Sequence, residues 1–111
     1  MSYQPAQARI RDLTPNEVAD GLSRDEILLV DVREPHEIAI ERIAGAVFAP
    51  LSGFDPTDIP DPDSRMVVFT CASGVRSIKA AEMAQAAGLP YHAHLAGGIK
   101  AWKAAGLPTE R

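Results

Sequence analysis

The chain has 111 residues, 46% hydrophobic and 23% charged, with a net charge of −4. These numbers suit one soluble domain spanning 1–111, and recurring apolar runs without a low-complexity tract argue against a disordered chain. No Lys/Arg cluster or basic stripe is present, which argues against nucleic acid as a partner, while a small anionic substrate stays open because local fields can oppose net charge. The longest largely apolar stretch, 43–51, is far too short to cross a membrane, and Met1-Ser2-Tyr3-Gln4-Pro5 lacks the basic and apolar regions of a signal peptide. A cytoplasmic location is the resulting expectation. The single cysteine, Cys71, excludes an internal disulfide and leaves two readings, an inert core thiol or a reactive one.

In chain order, Thr14-Pro15-Asn16-Glu17 combines an N-cap, a first-position proline and a capping-box glutamate. It predicts a helix ending near 22 or 23, with Val18, Ala19 and Leu22 on its apolar side. The run 27–30 is continuously apolar and ends in Asp31-Val32-Arg33, as expected of a strand buried on both faces. Glu34-Pro35 opens a short helix to about 41, and 46–49 reads as a short strand. The Pro- and Asp-rich stretch 50–64 reads as a surface loop, with its acidic part at 55–63 solvated.

A second apolar strand over 66–70 delivers Cys71 at its C-terminal end. A helix is predicted from about 77 to 87, with Ile78, Ala81, Met83 and Ala84 near helical spacing. A last strand is expected over 91–95 and a last helix over 99–104. Ala-Gly-Leu-Pro occurs at 87–90 and again at 105–108, the same helix-stop chemistry used twice. Strands alternating with helices predict an α/β sandwich with a mainly parallel central sheet, whose ligands sit beyond the carboxyl ends of the strands.

Cys71 is therefore expected between a buried strand and a helix N-terminus. Unpaired N–H groups and a partial positive charge gather there, and Gly74 frees the backbone to turn further N–H groups inward. A thiolate in such a nest is stabilised, so the thiol pKa falls and the sulfur becomes nucleophilic near neutral pH.

Cys71-Ala72-Ser73-Gly74-Val75-Arg76-Ser77 resembles the Cys-x-x-Gly-x-Arg-Ser loop of single-domain rhodaneses. Asp31-Val32-Arg33-Glu34-Pro35-x-Glu37, Ala44-Gly45-Ala46 and Leu95-Ala96-Gly97-Gly98-Ile99-x-Ala101-Trp102 are similar to further blocks of that family, in the same order. The resemblance covers about 10–108 as the core of one domain, and it implies a three-layer rhodanese-like sandwich with a sheet of about five strands flanked by helices. It also implies a sulfurtransferase with Cys71 as catalytic nucleophile and the loop Ala72, Ser73, Gly74, Val75 and Arg76 binding substrate. The implied partners are a small anionic sulfur donor, such as thiosulfate, and a thiol or cyanide acceptor, with no metal or organic cofactor.

A related module that receives sulfur from, or docks on, another protein would use the same cysteine. Phosphatases and arsenate reductases of this fold use a Cys-x5-Arg loop, whereas this chain has Cys-x4-Arg, the shorter sulfurtransferase type. The chain departs from the family's Gly-His-Ile-Pro-Gly-Ala at Glu41-Arg42-Ile43-Ala44-Gly45-Ala46. Its uncharged Ser73-Gly74-Val75 is similar to the loop of mercaptopyruvate sulfurtransferases, which leaves the donor undecided between thiosulfate and 3-mercaptopyruvate.

Arg76 either binds donor oxyanions or pairs with Asp31 or Glu34 to hold the loop, and paired arginine is the commoner use. Asp31 and Arg33 are expected to give structural support behind the site. His92 and His94 alternate on a predicted strand but make an incomplete metal site, so no metal is expected. His36 is expected in solvent. No histidine is well placed in the sequence to serve Cys71. Trp102 should pack on the core with its indole N–H on a loop carbonyl, while Ser73 is a candidate for touching substrate.

Overall fold

A computed structural model describes residues 10–111. The opening pentapeptide, on which the reading of the N-terminus rests, lies outside them. Five strands form one parallel sheet in the order β1-β5-β4-β2-β3, where β1 is Arg11–Leu13, β2 Ile27–Asp31, β3 Val47–Phe48, β4 Met66–Thr70 and β5 Ala93–Leu95. The helices are α1 (Pro15–Ser23), α2 (Pro35–Ile40), α3 (Arg76–Ala86) and α4 (Gly98–Ala104).

The side-chain alternation of the central strands splits the core into two layers. Ile27 and Leu29 of β2, Val68 of β4, and Ala93 and Leu95 of β5 pack with Val18 of α1 and with Ile99 and Trp102 of α4. Leu28 and Val30, with Val67 and Phe69, face the other way onto Ala80, Ala81 and Ala84 of α3, and Cys71 belongs to this second layer. The result is the expected three-layer α/β sandwich.

Both predicted helix starts carry their caps. Thr14 accepts from the Glu17 N–H at 3.1 Å while Glu17 accepts from the Thr14 N–H at 2.8 Å. Ahead of α2, Glu37 accepts from the Glu34 N–H at 3.0 Å, while the Glu34 carboxylate accepts from the Ser52 hydroxyl and N–H. The indole N–H of Trp102 donates to the Pro108 carbonyl at 2.8 Å.

Three elements differ from the sequence reading. β1 has only one inward apolar residue, Leu13, and gives no periodic signal, yet it pairs with β5 at the sheet edge. Helix α3 buries Ser77, Ala80, Ala81, Ala84 and Gln85, while Ile78 stays 36% exposed. Small residues at i, i+3, i+4 and i+7 let this helix lie close over β4, and Ile78 falls about 100° off that stripe. The 50–64 loop contains two short 3-10 turns, Leu51–Gly53 and Pro56–Asp58. No helix among the described residues is long and apolar enough to cross a membrane.

Candidate active site

Strand β4 is buried from its second residue onward and runs straight into Cys71, whose side chain is only 1% exposed. The chain then turns through 72–75 and enters α3 at Arg76. Gly74 makes this turn at φ +99, a left-handed region open to glycine. Its N–H is thereby aimed at Cys71 Sγ, 3.1 Å away. Ser77, in the first turn of α3, adds its own N–H at 3.4 Å, and its hydroxyl lies 3.5 Å from the sulfur. The Ser77 N–H, in the first helical turn, has no partner within the helix, and the Gly74 N–H is turned inward by the loop, so both are free to meet the sulfur. Burial pushes the Cys71 thiol pKa up. The Ser77 hydroxyl and the N–H groups of Ser77, Gly74 and Ser73 outweigh that, and the pKa falls below its ordinary value. A nest of the expected kind is therefore present, and Ser77, which closes the loop motif but was not among its expected binding residues, is a member of it.

Two clamps hold the loop. On one side, the first N–H groups of α4 grip its backbone, Ile99 N–H on the Cys71 carbonyl at 2.8 Å and Lys100 N–H on the Ala72 carbonyl at 3.1 Å. This approach needs Gly98, where a Cβ would lie 2.3 Å from the Cys71 carbonyl oxygen. On the other side, Arg76 donates from both terminal nitrogens to the two carboxylate oxygens of Glu37 on α2, at 2.7 and 2.8 Å. The loop arginine therefore pairs with Glu37, not with Asp31 or Glu34 as the sequence suggested. Glu37 lies 39 residues away and meets Arg76 only because α2 packs beside the loop.

Asp31 and Arg33 form a buried ion pair, with contacts of 2.7 to 3.1 Å. Arg33 also donates to the carbonyls of Glu37 and Glu41, at 3.4 and 3.0 Å. The pair thus ties the end of β2 to the C-terminal half of α2, the helix that carries Glu37.

His94, weighed in the sequence only as half of an incomplete metal pair and not as a partner of Cys71, joins the hydrogen bonds of the cysteine site through Ser77. Ala93 and Leu95 fill the α1/α4 layer, so the alternation of β5 sends His94 to the α3 side, where it is 3% exposed. Its Nδ1 lies 2.8 Å from Ser77 Oγ, and its Nε2 lies 2.7 Å from Asp12 Oδ1 on β1. A polar residue between two core positions of a buried strand was the signal available. His92 sits apart, its Nδ1 3.3 Å from the Pro90 carbonyl, and His36 is exposed. No group of three or more His, Cys, Asp or Glu that could hold a metal occurs among the described residues.

A model of the rhodanese-like domain matches residues 14–105. The chain belongs to the rhodanese-like domain family. Its relatives include an uncharacterized protein of Synechocystis sp., 39% identical over 97 residues, with 87% of this chain and 54% of that protein aligned. The chain thus spans about half the length of that relative. A protein of Allochromatium vinosum named sulfurtransferase is 38% identical over 84 residues, covering 76% of this chain and 78% of its own. Among solved structures, a Rhodopseudomonas palustris protein of unknown function, described as a possible tyrosine phosphatase, superposes with a TM-score of 0.76 at 34% identity. That match covers 91% of this chain and 85% of the other. Sulfurtransferase names recur among the relatives, which supports sulfurtransferase chemistry at the level of the family.

In this rhodanese-like chain Arg42, one of the two departures from the family pattern, pairs with Glu110 near the C-terminus. Arg42 and Glu110 exchange both backbone hydrogen bonds at 2.8 Å, and their side chains pair at 3.5 Å. A cavity of about 590 Å³ lies between α2, β3 and the 3-10 turns. Glu34, Phe48, Phe54 and Ile59 are among its walls, and neither Cys71 nor its loop lines it.

Proposed function

We propose that this chain, as one rhodanese-like domain, moves sulfane sulfur from a small donor to a thiophilic acceptor through a persulfide on Cys71. The observation that carries the reading is the nest: backbone N–H groups of Gly74 and Ser77, with the Ser77 hydroxyl, converge on one sulfur at the end of a buried strand. Donors fixed in place stabilise an anion with little reorganisation, which is what a nucleophilic thiolate needs. With thiosulfate, the Cys71 thiolate attacks the sulfane sulfur, the sulfur–sulfur bond of the donor breaks, and sulfite leaves with the electron pair. The outer sulfur of the new persulfide carries the negative charge, and the backbone of 72–76 cradles it. A thiolate or cyanide then attacks that outer sulfur, and Cys71 leaves as the thiolate. The steps as written need no metal or organic cofactor. Because Cys71 is 1% exposed, reaction requires the rim residues Ser73 and Val75, both exposed, to give way as the donor approaches.

The pairing of Arg76 weighs against phosphate ester chemistry. A phosphate-binding loop needs a free guanidinium over the oxyanion, and here both terminal nitrogens are held by Glu37. The same pairing leaves the loop without an available cation for a dianionic donor. That favours 3-mercaptopyruvate or another thiol-borne sulfur over the thiosulfate used above as the worked donor, and a protein persulfide as donor or acceptor is the second reading.

The test is intact mass after incubation with thiosulfate, 3-mercaptopyruvate, a protein persulfide or a phosphate ester. A gain of one sulfur mass, absent in Cys71→Ser, is the expected result, and the effective donor fixes the substrate class. A sulfur gain only from the protein persulfide assigns a relay role. No sulfur adduct from any donor overturns the reading.

A further inference from the structure

A continuous hydrogen-bonded chain leads from the sulfur to the surface, and the sulfur-transfer steps above do not use it. Cys71 Sγ lies 3.5 Å from Ser77 Oγ, Ser77 Oγ 2.8 Å from His94 Nδ1, and His94 Nε2 2.7 Å from Asp12 Oδ1. The first three members are buried, at 1%, 0% and 3% exposed, while the Asp12 side chain is 73% exposed. Four separate segments supply the members: the loop after β4, the first turn of α3, β5, and the edge strand β1. Of the elements packed around His94, β1 brings Asp12, α3 brings Ser77, the register neighbour on β4 is Phe69, and the loop brings Gly74. Asp12 is thus the charged group on the imidazole, with Cys71 behind the serine.

We propose that Ser77, His94 and Asp12 form a proton relay that accepts the Cys71 proton and holds it beside the thiolate. The inference rests on the nucleophilic reading of Cys71 and adds the positioning residues that serve it. The relay uses one tautomer of His94, the one that the Asp12 and Ser77 contacts can both satisfy. An Asp12 carboxylate holds the Nε2–H of a neutral imidazole, leaving Nδ1 to accept from the Ser77 hydroxyl, whose oxygen accepts from the thiol. When the thiol proton passes to Ser77 Oγ and the Ser77 proton passes to Nδ1, no atom is left over. The products are a thiolate, an intact Ser77 hydroxyl now donating to it, and an imidazolium donating to Ser77 Oγ and to Asp12. Ser77 stays a serine throughout and relays the proton. The imidazolium also places a positive charge one hydroxyl away from the anionic sulfur, which a neutral hydrogen-bond donor cannot do.

The test is the rate of Cys71 alkylation by iodoacetamide against pH, which needs no sulfur donor. His94→Asn keeps a hydrogen-bond acceptor near the Nδ1 position and removes the titratable ring. In this variant the apparent pKa of alkylation should rise by about one unit, with about a tenfold loss of rate near pH 6. Asp12→Asn, at an exposed position with little folding risk, should move the profile the same way by less. Ser77→Ala should raise it too, and adding His94→Asn to Ser77→Ala should then change nothing more, because His94 acts through the serine. Circular dichroism and urea unfolding confirm that each variant is folded. His94→Asn and Asp12→Asn profiles superimposing on the parent's, or additive effects of Ser77→Ala and His94→Asn, overturn the relay. A parent protein that shows the relay behaviour on alkylation but takes sulfur from no donor overturns the proposed function alone.

Discussion

Gly98→Ala is the substitution on which the packing of the site makes its sharpest demand. Gly98 has φ +61, and a Cβ there would sit 2.3 Å from the Cys71 carbonyl oxygen, 2.7 Å from the Ala72 carbonyl carbon and 2.8 Å from the Ala72 oxygen. All three are backbone atoms of the cysteine loop and cannot swing aside as a side-chain tip can. The left-handed backbone alone costs a non-glycine residue about 1–2 kcal/mol. Forcing the chains apart costs about 1–3 kcal/mol by analogy with overpacked cores. The movement also stretches the Ile99 and Lys100 hydrogen bonds, each contributing about 1 kcal/mol. The backbone and packing costs come to about 2–5 kcal/mol before any loss from the two hydrogen bonds, a large part of the roughly 5–15 kcal/mol typical of a domain. Gly88→Ala is the control, because Gly88 has φ +83 and nothing within 4 Å of a Cβ, so only the backbone cost of about 1–2 kcal/mol applies. Urea unfolding of both variants reads the difference, and iodoacetamide alkylation of Cys71 at neutral pH reads the nest. Gly98→Ala should be the less stable by about 2–3 kcal/mol and its thiol the slower to react. Equal midpoints with unchanged thiol reactivity would refute the claim that the α4 entry shapes the cysteine loop.

Two further outcomes follow from the clamps. The Arg76 guanidinium holds the Glu37 carboxyl down from 4.5 to about 2. A depressed carboxyl stabilises the fold above its unfolded pKa and loses that contribution as pH falls toward its folded one. Glu37→Gln should therefore lower stability at neutral pH and flatten its decline between about pH 4.5 and 2. The full shift is worth about 3 kcal/mol, and partial exposure of both partners reduces this to about 1–2 kcal/mol. A parallel pH profile of stability in the variant would show that the pair does not titrate with folding. Asp31→Asn strands the Arg33 guanidinium, which is 4% exposed. It should cost about 3–5 kcal/mol by urea unfolding, and a loss below about 1 kcal/mol would contradict a tightly coupled buried pair.

The helices and the central strands were legible because their signals are local. The capping residues Thr14 and Glu17, the apolar runs of β2 and β4, and the glycine and proline stops each act within a few positions of themselves. β1 was not legible, because Arg-Asp-Leu becomes a strand only when β5 offers it a partner. The buried face of α3 was misread at Ile78 for a related reason. The helix sits close to the sheet, so small residues and Ser77 take the inner stripe and the larger apolar side chain is left outside. In the site, Cys71 and Gly74 could be read as a nest because strand end, glycine and helix start are adjacent in sequence. Glu37 and His94 could not be matched to Arg76 and Ser77, because each pairing depends on where a separate element packs.

The division between legible and hidden parts has a physical cause in how this site carries charge. Burial works against a thiolate at Cys71, and the groups that outweigh it are the Ser77 hydroxyl and, behind it, backbone N–H donors held by the turn at Gly74 and the first turn of α3. Such donors lose little conformational freedom when they meet the sulfur, and they leave a sequence trace as a glycine and a helix start. The charged side chains act at a distance from the sulfur. Arg33 fixes α2, α2 presents Glu37, and Glu37 fixes Arg76 at the end of the loop. Replacing any of these three residues should therefore act on the sulfur through the shape of the loop, and should lower stability along with thiol reactivity. Ser77 and His94 lie on the other route, where a hydroxyl and an imidazole belong to the sulfur's own hydrogen-bond chain. Their replacement should change the pH dependence of the thiol more than the stability of the fold. Comparing the two kinds of variant on the same two axes, unfolding free energy and the alkylation profile, separates the frame of the site from its proton chemistry.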